Sequence, residues 1–455
     1  MNQQPARLTF CGGVGSVTGA NFLLTTDTVK VLVDCGMFQG HRMCDNENYA
    51  KFLYDPSEID ALIVTHAHMD HIGRIPKLIK DGFVGTIYST LQTRELARVM
   101  LEDAAHLVVE EARMCKVPPP YTEADLAHVF DKWEAEAYHV PFSVGDLSVT
   151  LRDAGHILGS ALVECIHPVS GKIVFTGDLG NSPTLLLRDT EVVDDATYMV
   201  IESVYGDRVH EESGDRSRIL EDAIEGVIQR KGTLLIPAFS IERTQLVLYE
   251  INNLVEQKRI ATVPVFLDSP LAIKVTDIYK NATELFNDET RRAIAAGDDV
   301  FSFDKLTFVT SGRDSKALIG VPGPKIIVAG SGMSHGGRII HHERLYLNDP
   351  NNTLLIVGYQ APGSIGRLLQ EGAKEITIGE EHIPVAATIK TIHGFSGHRD
   401  VNGLIDFIRG TSRSLTKLFV TMGEQKSSQY LAQRARDYLG VDAVCPQLGD
   451  TVELL

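Results

Sequence analysis

No stretch of this chain is apolar for the roughly 20 residues that a bilayer crossing needs. Its first residues, MNQQPARLTFCGG, hold no apolar core of secretory-signal length. The six cysteines, Cys11, Cys35, Cys44, Cys115, Cys165 and Cys445, are scattered without a CxxC pair. They are expected to be reduced thiols, mostly small buried residues, of a cytoplasmic protein. Basic charge is in deficit too: 43 Lys and Arg stand against 60 Asp and Glu, a net −17. That excludes a protein that coats nucleic acid by broad charge neutralisation, though not a nuclease with a local basic groove. Internal repeats and low-complexity tracts are absent as well. What is present is the composition of a globular protein, 455 residues long with 44% hydrophobic residues and 39 glycines. A chain of this length suggests two or three domains.

The pattern along the chain changes twice. Short strand-like runs with glycine turns open it: LTFCGG, NFLLTT, VKVLVDCG and ALIVTHAH. A helical periodicity occupies 93–116 and stops before VPPP; strand-like runs resume at 147–156, 161–167 and 172–178. From about 208, buried strands such as TLLIPAF and KIIVAGSG alternate with helices, the sign of a parallel α/β sheet. After about 370 the short strands return. The expected organisation is a discontinuous domain, 1–207 plus 371–455, with an α/β domain, 208–370, inserted into it.

The chemistry concentrates in VTHAHMDHIG (64–73), which follows the apolar run ALIV. His66 and His68, two apart in an extended segment, project to the same side. Asp70 and His71 follow where the chain turns. Imidazole and carboxylate are ligands that zinc takes when thiolate is absent. Four such groups cannot all reach one ion from so short a segment, so two adjacent ions are expected. The coordination then needs partners from elsewhere, and two stand at further strand ends, His156 in DAGHILGSA and Asp178 in VFTGDLG. An aspartate there could bridge two ions about 3.5–4 Å apart. Asp34, at the strand end VLVDCG, is placed to orient a ligand from behind.

HxHxDH, then GHxxGSA, then TGD, in that order on a strand-rich scaffold, resembles the metallo-β-lactamase superfamily. The resemblance implies an α/β fold, the metallo-β-lactamase αββα sandwich, with His66, His68 and His156 on one zinc, Asp70 and His71 on the other, and Asp178 bridging. IESVYGDR (201–208), IPAFSIERTQ (236–245), LDSPLA (267–272), AGSGMSHGGR (329–338), GYQAPGSIGR (358–367) and FSGHRD (395–400) resemble the inserted parallel-sheet domain and flanking motifs of the β-CASP ribonucleases. By this likeness Glu202, His398 and Asp70 are the expected catalytic groups. His398 would protonate the leaving oxygen while Glu202 holds and charges its imidazole. The glycine-rich loops at 331–337 and 363–366, with Ser331, Gly332 and Gly363, could offer backbone N–H groups to phosphates, with Arg243, Arg338 and Arg367 as cationic partners.

One position departs from the family. LFVTMGEQ (418–425) places Met422 where the family carries a histidine on the second zinc, and a thioether is a poor zinc ligand beside carboxylates. The expected function is zinc-dependent hydrolysis of single-stranded RNA in the cleft between the two domains, endonucleolytic, with the addition of a 5′-exonuclease mode left open by the sequence. Two zinc ions are expected, the second held more weakly. A homodimer is compatible with this reading. Two alternatives stand beside it: a catalytically impaired RNA-binding homologue, and a hydrolase of small esters on the same scaffold.

Overall fold

The computed structural model describes residues 4–39, 46–210, 213–361 and 363–455. They form two compact units, Met1–Val209 with His398–Leu455, and His210–Gly397.

The first unit is built on two seven-stranded sheets. One runs in the order Thr451–Glu453, Arg7–Phe10, Phe22–Thr25, Lys30–Val33, Ala61–Ile63, Thr86–Ser89, Trp133–Ala135. The other runs Ala443–Val444, Lys417–Val420, Tyr198–Ile201, Gly171–Phe175, Ala161–His167, Leu147–Asp153, Phe142–Val144. In LSVTLRD every second residue is buried, the period that turns one face of a strand to a core. The inner faces meet in one apolar layer, where Phe10 packs on Phe419 at 5.2 Å and Phe22 on Phe175 at 6.1 Å between ring centroids. Helices Val401–Thr411 and Gln425–Leu439 cover the outer face of the second sheet. Helix Leu91–Cys115 packs beside the first, starting at the Thr90 cap, whose side chain accepts from the Thr93 N–H. The expected αββα layering is therefore present.

Strand direction assembles the site. Lys30–Val33 and Ala61–Ile63 run parallel, so the segments carrying Asp34 and His66 leave the first sheet at one edge. In the second sheet Gly171–Phe175, Tyr198–Ile201 and Lys417–Val420 run parallel. Leu147–Asp153 runs the same way, since two antiparallel pairings separate it from Gly171–Phe175. The residues after these strands, His156, Asp178, Glu202 and Met422, accordingly emerge at a common edge.

The second unit carries a fully parallel six-stranded sheet in the order Leu306–Phe308, Val265–Asp268, Lys325–Ala329, Thr233–Pro237, Thr353–Ile356, Thr388–Thr391. TLLIP and KIIVA are buried throughout, as strands covered on both faces must be. This unit continues past the boundary expected at 370. Thr388–Thr391 adds to the sheet edge beside Thr353–Ile356, and Glu375–Ile378 pairs with Glu381–Pro384, so residues up to Gly397 belong to it. A second expectation is corrected: Cys115 is disulfide-bonded, whereas Cys11, Cys35, Cys165 and Cys445 are free, and Cys44 lies outside the described residues. Among the described residues no helix is long and apolar enough to cross a membrane.

Glu242, just before helix Arg243–Glu256, is buried and accepts a 2.5 Å hydrogen bond from the Tyr279 hydroxyl. Burial pushes its carboxyl from 4.5 up to about 7. Between those values the folded chain holds a proton that the unfolded chain has released, so stability falls as pH rises through that window. Glu242→Gln is expected to raise unfolding free energy at pH 8 by roughly 1–3 kcal/mol and to change it little at pH 4.5. Urea midpoints at the two pH values test this; an equal difference at both would refute it.

Candidate metal centre

Six of the expected ligands converge. His66, His68, His156 and Asp178 form one group and Asp70, His71 and Asp178 a second, with the donor atoms of each group within 4.8 Å of one another. His68 Nδ1 lies 3.1 Å from His66 Nε2 and 3.2 Å from His156 Nε2. Asp178 is the shared member. Its Oδ2 is 3.3 Å from His66 Nε2 and 3.5 Å from His156 Nε2, while its Oδ1 is 3.5 Å from His71 Nε2. A third group, Asp178 with Glu202 and His398, extends the cluster from the same carboxylate.

The rings are held from behind, His71 by Asp34. Its Oδ2 lies 2.7 Å from His71 Nδ1, and it accepts from both the backbone N–H and the hydroxyl of Thr65, at 2.8 Å each. The Thr65 hydroxyl also sits 3.0 Å from His66 Nδ1. A hydrogen bond at Nδ1 leaves Nε2 to face an ion. Thr65 was not among the expected site residues, although it directly precedes His66 in VTHAH.

Electrostatics and donor chemistry both fit a divalent cation. Burial keeps His66 below the usual imidazole range and His68 and His156 well below it, so these rings are neutral and available as ligands. Burial also opposes charge on His71, but the Asp178 and Asp34 carboxylates outweigh it and hold His71 well above, so an ion bound there would displace the proton on its Nε2. For Asp178, burial is outweighed by His71, His398 and His66, which keep its carboxyl well below the ordinary value. Burial raises Asp70. Most telling, His71 Nε2 and Asp178 Oδ1 are buried with no hydrogen-bond partner. Orphaned buried polar atoms are costly unless something positive binds between them. A divalent cation fits there.

His398 lies beside this cluster. Its Nδ1 is 3.2 and 3.3 Å from the two Glu202 oxygens and 3.8 Å from Asp178 Oδ2. Glu202 is fixed in turn by the Leu179 N–H at 2.6 Å; burial pushes its carboxyl up while His398 pulls it down, with a net rise. Met422 has a left-handed backbone, φ 45°, with its N–H bonded to the Gly13 carbonyl at 2.7 Å. Its side chain is buried between the sheets and lines a small internal cavity with His71, Thr176 and Glu202.

The expected phosphate-binding residues lie in the second unit. Arg243 follows strand Thr233–Pro237, Ser331 and Gly332 follow Lys325–Ala329, and Gly363 and Arg367 follow Thr353–Ile356. These are neighbouring parallel strands, and ligands of parallel sheets bind beyond their carboxyl ends. The Gln360 amide joins two of the loops by donating to the Gly332 carbonyl at 2.8 Å. Gly332 must be glycine, because a Cβ there would stand 2.6 Å from the Phe239 ring. Arg367 pairs with Glu371 at 2.6 Å. Arg338 departs from expectation. Its guanidinium bonds Asp268 at 2.5 Å and the Val309 and Thr310 carbonyls at 2.8 Å, which ties it to the fold rather than to a phosphate.

Two stacked mixed sheets with histidines and aspartates gathered at one edge define the class: a metal-dependent hydrolase of metallo-β-lactamase fold. Comparison with known proteins agrees and narrows it. Models of the metallo-β-lactamase superfamily, the β-CASP domain and the "Zn-dependent metallo-hydrolase RNA specificity domain" match residues 15–222, 244–369 and 382–446. Ribonuclease TTHA0252 of Thermus thermophilus is 36% identical over 403 residues, covering 88% of this chain and 90% of its own. The transcription termination factor FttA of Methanosarcina mazei is 31% identical over 473 residues, covering 99% and 72%. An RNase J-like protein of Methanocaldococcus jannaschii is 32% identical over 449 residues, covering 97% and 98%. A crystal structure of a protein of unknown function from Enterococcus faecalis V583 shares the fold, with TM-score 0.55 and 11% identity over 98% of this chain and 99% of that one. The chain belongs to the β-CASP ribonuclease family of the metallo-β-lactamase superfamily.

Proposed function

We propose that this protein is a zinc-dependent ribonuclease that hydrolyses phosphodiester bonds of single-stranded RNA, with internal cutting as its first mode. The observation that carries the reading is the Asp178 carboxylate, whose two oxygens face the His66–His156 pair on one side and His71 on the other, with His398 alongside. The names of the relatives, a ribonuclease and an RNase J-like protein among them, favour RNA as the substrate. Such an enzyme meets its substrate in the cytoplasm, which cell fractionation would test.

His66, His68, His156 and Asp178 would hold one ion, and Asp70, His71 and Asp178 the other. When bound, zinc supplies Lewis-acid neutralisation of the phosphoryl oxygens and lowers the pKa of the attacking water. The chain supplies the rest. Asp34 and Thr65 fix the ring orientations of His71 and His66. Glu202 holds His398 at Nδ1, which leaves Nε2 to pass a proton to the leaving oxygen. Arg243, Arg367 and the loops at Ser331, Gly332 and Gly363 would contact the phosphate backbone.

Chelator-stripped protein, tested on 5′-labelled and internally labelled single-stranded RNA before and after zinc is restored, checks the whole. Zinc-dependent cleavage of both labels is expected, and no RNA turnover with metal bound would refute the reading.

The donor sets differ in size, four residues against three, and Met422 offers only a thioether beside the smaller. The second ion should therefore be the weaker. Met422→His is expected to raise zinc after dialysis from about one toward about two per chain. Metal analysis reads this directly; equal stoichiometry in both proteins would show that Met422 does not limit the second ion.

A further inference from the structure

The turn 178–182 holds more than Asp178. The Leu179 N–H fixes the Glu202 carboxylate, and the Leu179 carbonyl accepts the Arg399 N–H at 3.1 Å. Gly180 forms a β-bridge with His398. It is pressed so closely on the Gly155 carbonyl that a Cβ would stand 2.0 Å away, which ties the turn to the neighbour of His156. The relative placement of Asp178, Glu202 and His398 is thus set by how segment 398–400 docks on this turn.

The Arg399 side chain clamps that dock. Its Nε donates to the Gly180 carbonyl at 3.0 Å, Nη2 to the Ser182 hydroxyl at 3.3 Å and Nη1 to the Gly403 carbonyl at 3.3 Å. Its guanidinium also stands 5.5 Å from the Phe407 ring centroid. One planar fork therefore joins the turn to the start of helix Val401–Thr411, beside His398 in the chain.

We propose that Arg399 is a positioning residue for His398, holding the imidazole at the angle from which it passes its proton. The inference rests on the reading of His398 as proton donor. Arg399 touches neither the metal donors nor, on this reading, the substrate. Its loss should slow only the step that needs the proton.

Two substrates separate these effects. Single-stranded RNA leaves as an alkoxide and needs an acid; a nitrophenyl phosphodiester leaves as a stabilised phenolate and does not. Arg399→Met is expected to lower kcat on RNA about 10- to 100-fold, with KM and zinc content close to wild type and the nitrophenyl diester turned over at nearly the wild-type rate. Arg399→Lys should recover part of the loss. Ser182→Ala, at an exposed anchor of the same fork, should give the same selective loss at smaller size, and it supplies the comparison should Arg399→Met not fold. His398→Gln is the reference. If it slows both substrates equally, the proton-donor reading fails and this inference with it. If it is selective for RNA while Arg399→Met and Ser182→Ala slow both substrates equally or neither, the positioning role alone is overturned.

Discussion

Asp178→Asn should empty the second zinc site, loosen the first and lower RNA cleavage about a thousandfold or more, the largest loss expected from any single conservative substitution here. The carboxylate has 2% of its surface exposed and belongs to all three donor groups of the site. Its two oxygens serve opposite sides, with Oδ2 facing His66 and His156 and Oδ1 facing His71. An amide keeps the shape but removes the charge and turns one of those atoms into a donor, which repels a cation. Asp70 and His71 alone are too few to keep the second ion, and the three imidazoles on the other side would hold theirs without the carboxylate that offsets its charge. Metal analysis after dialysis and a cleavage assay on the same preparation measure the effect, with a melting curve to show that the sandwich still folds. A variant that keeps both zinc and activity would remove Asp178 from the centre of the site, and the reading of the two donor groups with it.

How much of this site was legible in the sequence depended on the distance over which its parts are specified. VTHAHMDHIG could be read because a strand end and a tight turn place its ligands through local geometry alone. His156 and Asp178 could be found because each follows an apolar strand, although only the sheet order shows that these strands end at one edge. The return at Gly397 was not legible. Strand TIKT is short and only partly buried, and what assigns it to the second unit is pairing with a strand 35 residues upstream, Thr353↔Thr388. The same holds for Arg338. Nothing near it in sequence indicates that a buried aspartate 70 residues away takes up its guanidinium. A residue's chemistry is legible from its neighbours, but whether that chemistry faces a ligand or the fold is decided by long-range contacts.

His398→Ala is expected to lower RNA cleavage by about 10²- to 10⁴-fold, the range for loss of a general acid, while zinc content stays at the wild-type level. The pairing of these two readouts follows from the geometry. His398 Nδ1 is closer to Glu202 (3.2 Å) than to Asp178 (3.8 Å), and both proposed ion sites are complete without it. A ligand role would move metal content and rate together; a proton donor moves rate alone. Glu202→Gln should follow His398→Ala in direction but at smaller size. Its amide can still meet Nδ1, though without the charge that favours the imidazolium, and the Leu179 N–H would still hold its oxygen. The two losses should also fail to add, since residues that act through one proton give a double variant scarcely worse than the single one. Full additivity would mean that Glu202 and His398 serve separate purposes. Loss of zinc in His398→Ala would make His398 a metal ligand instead of the acid.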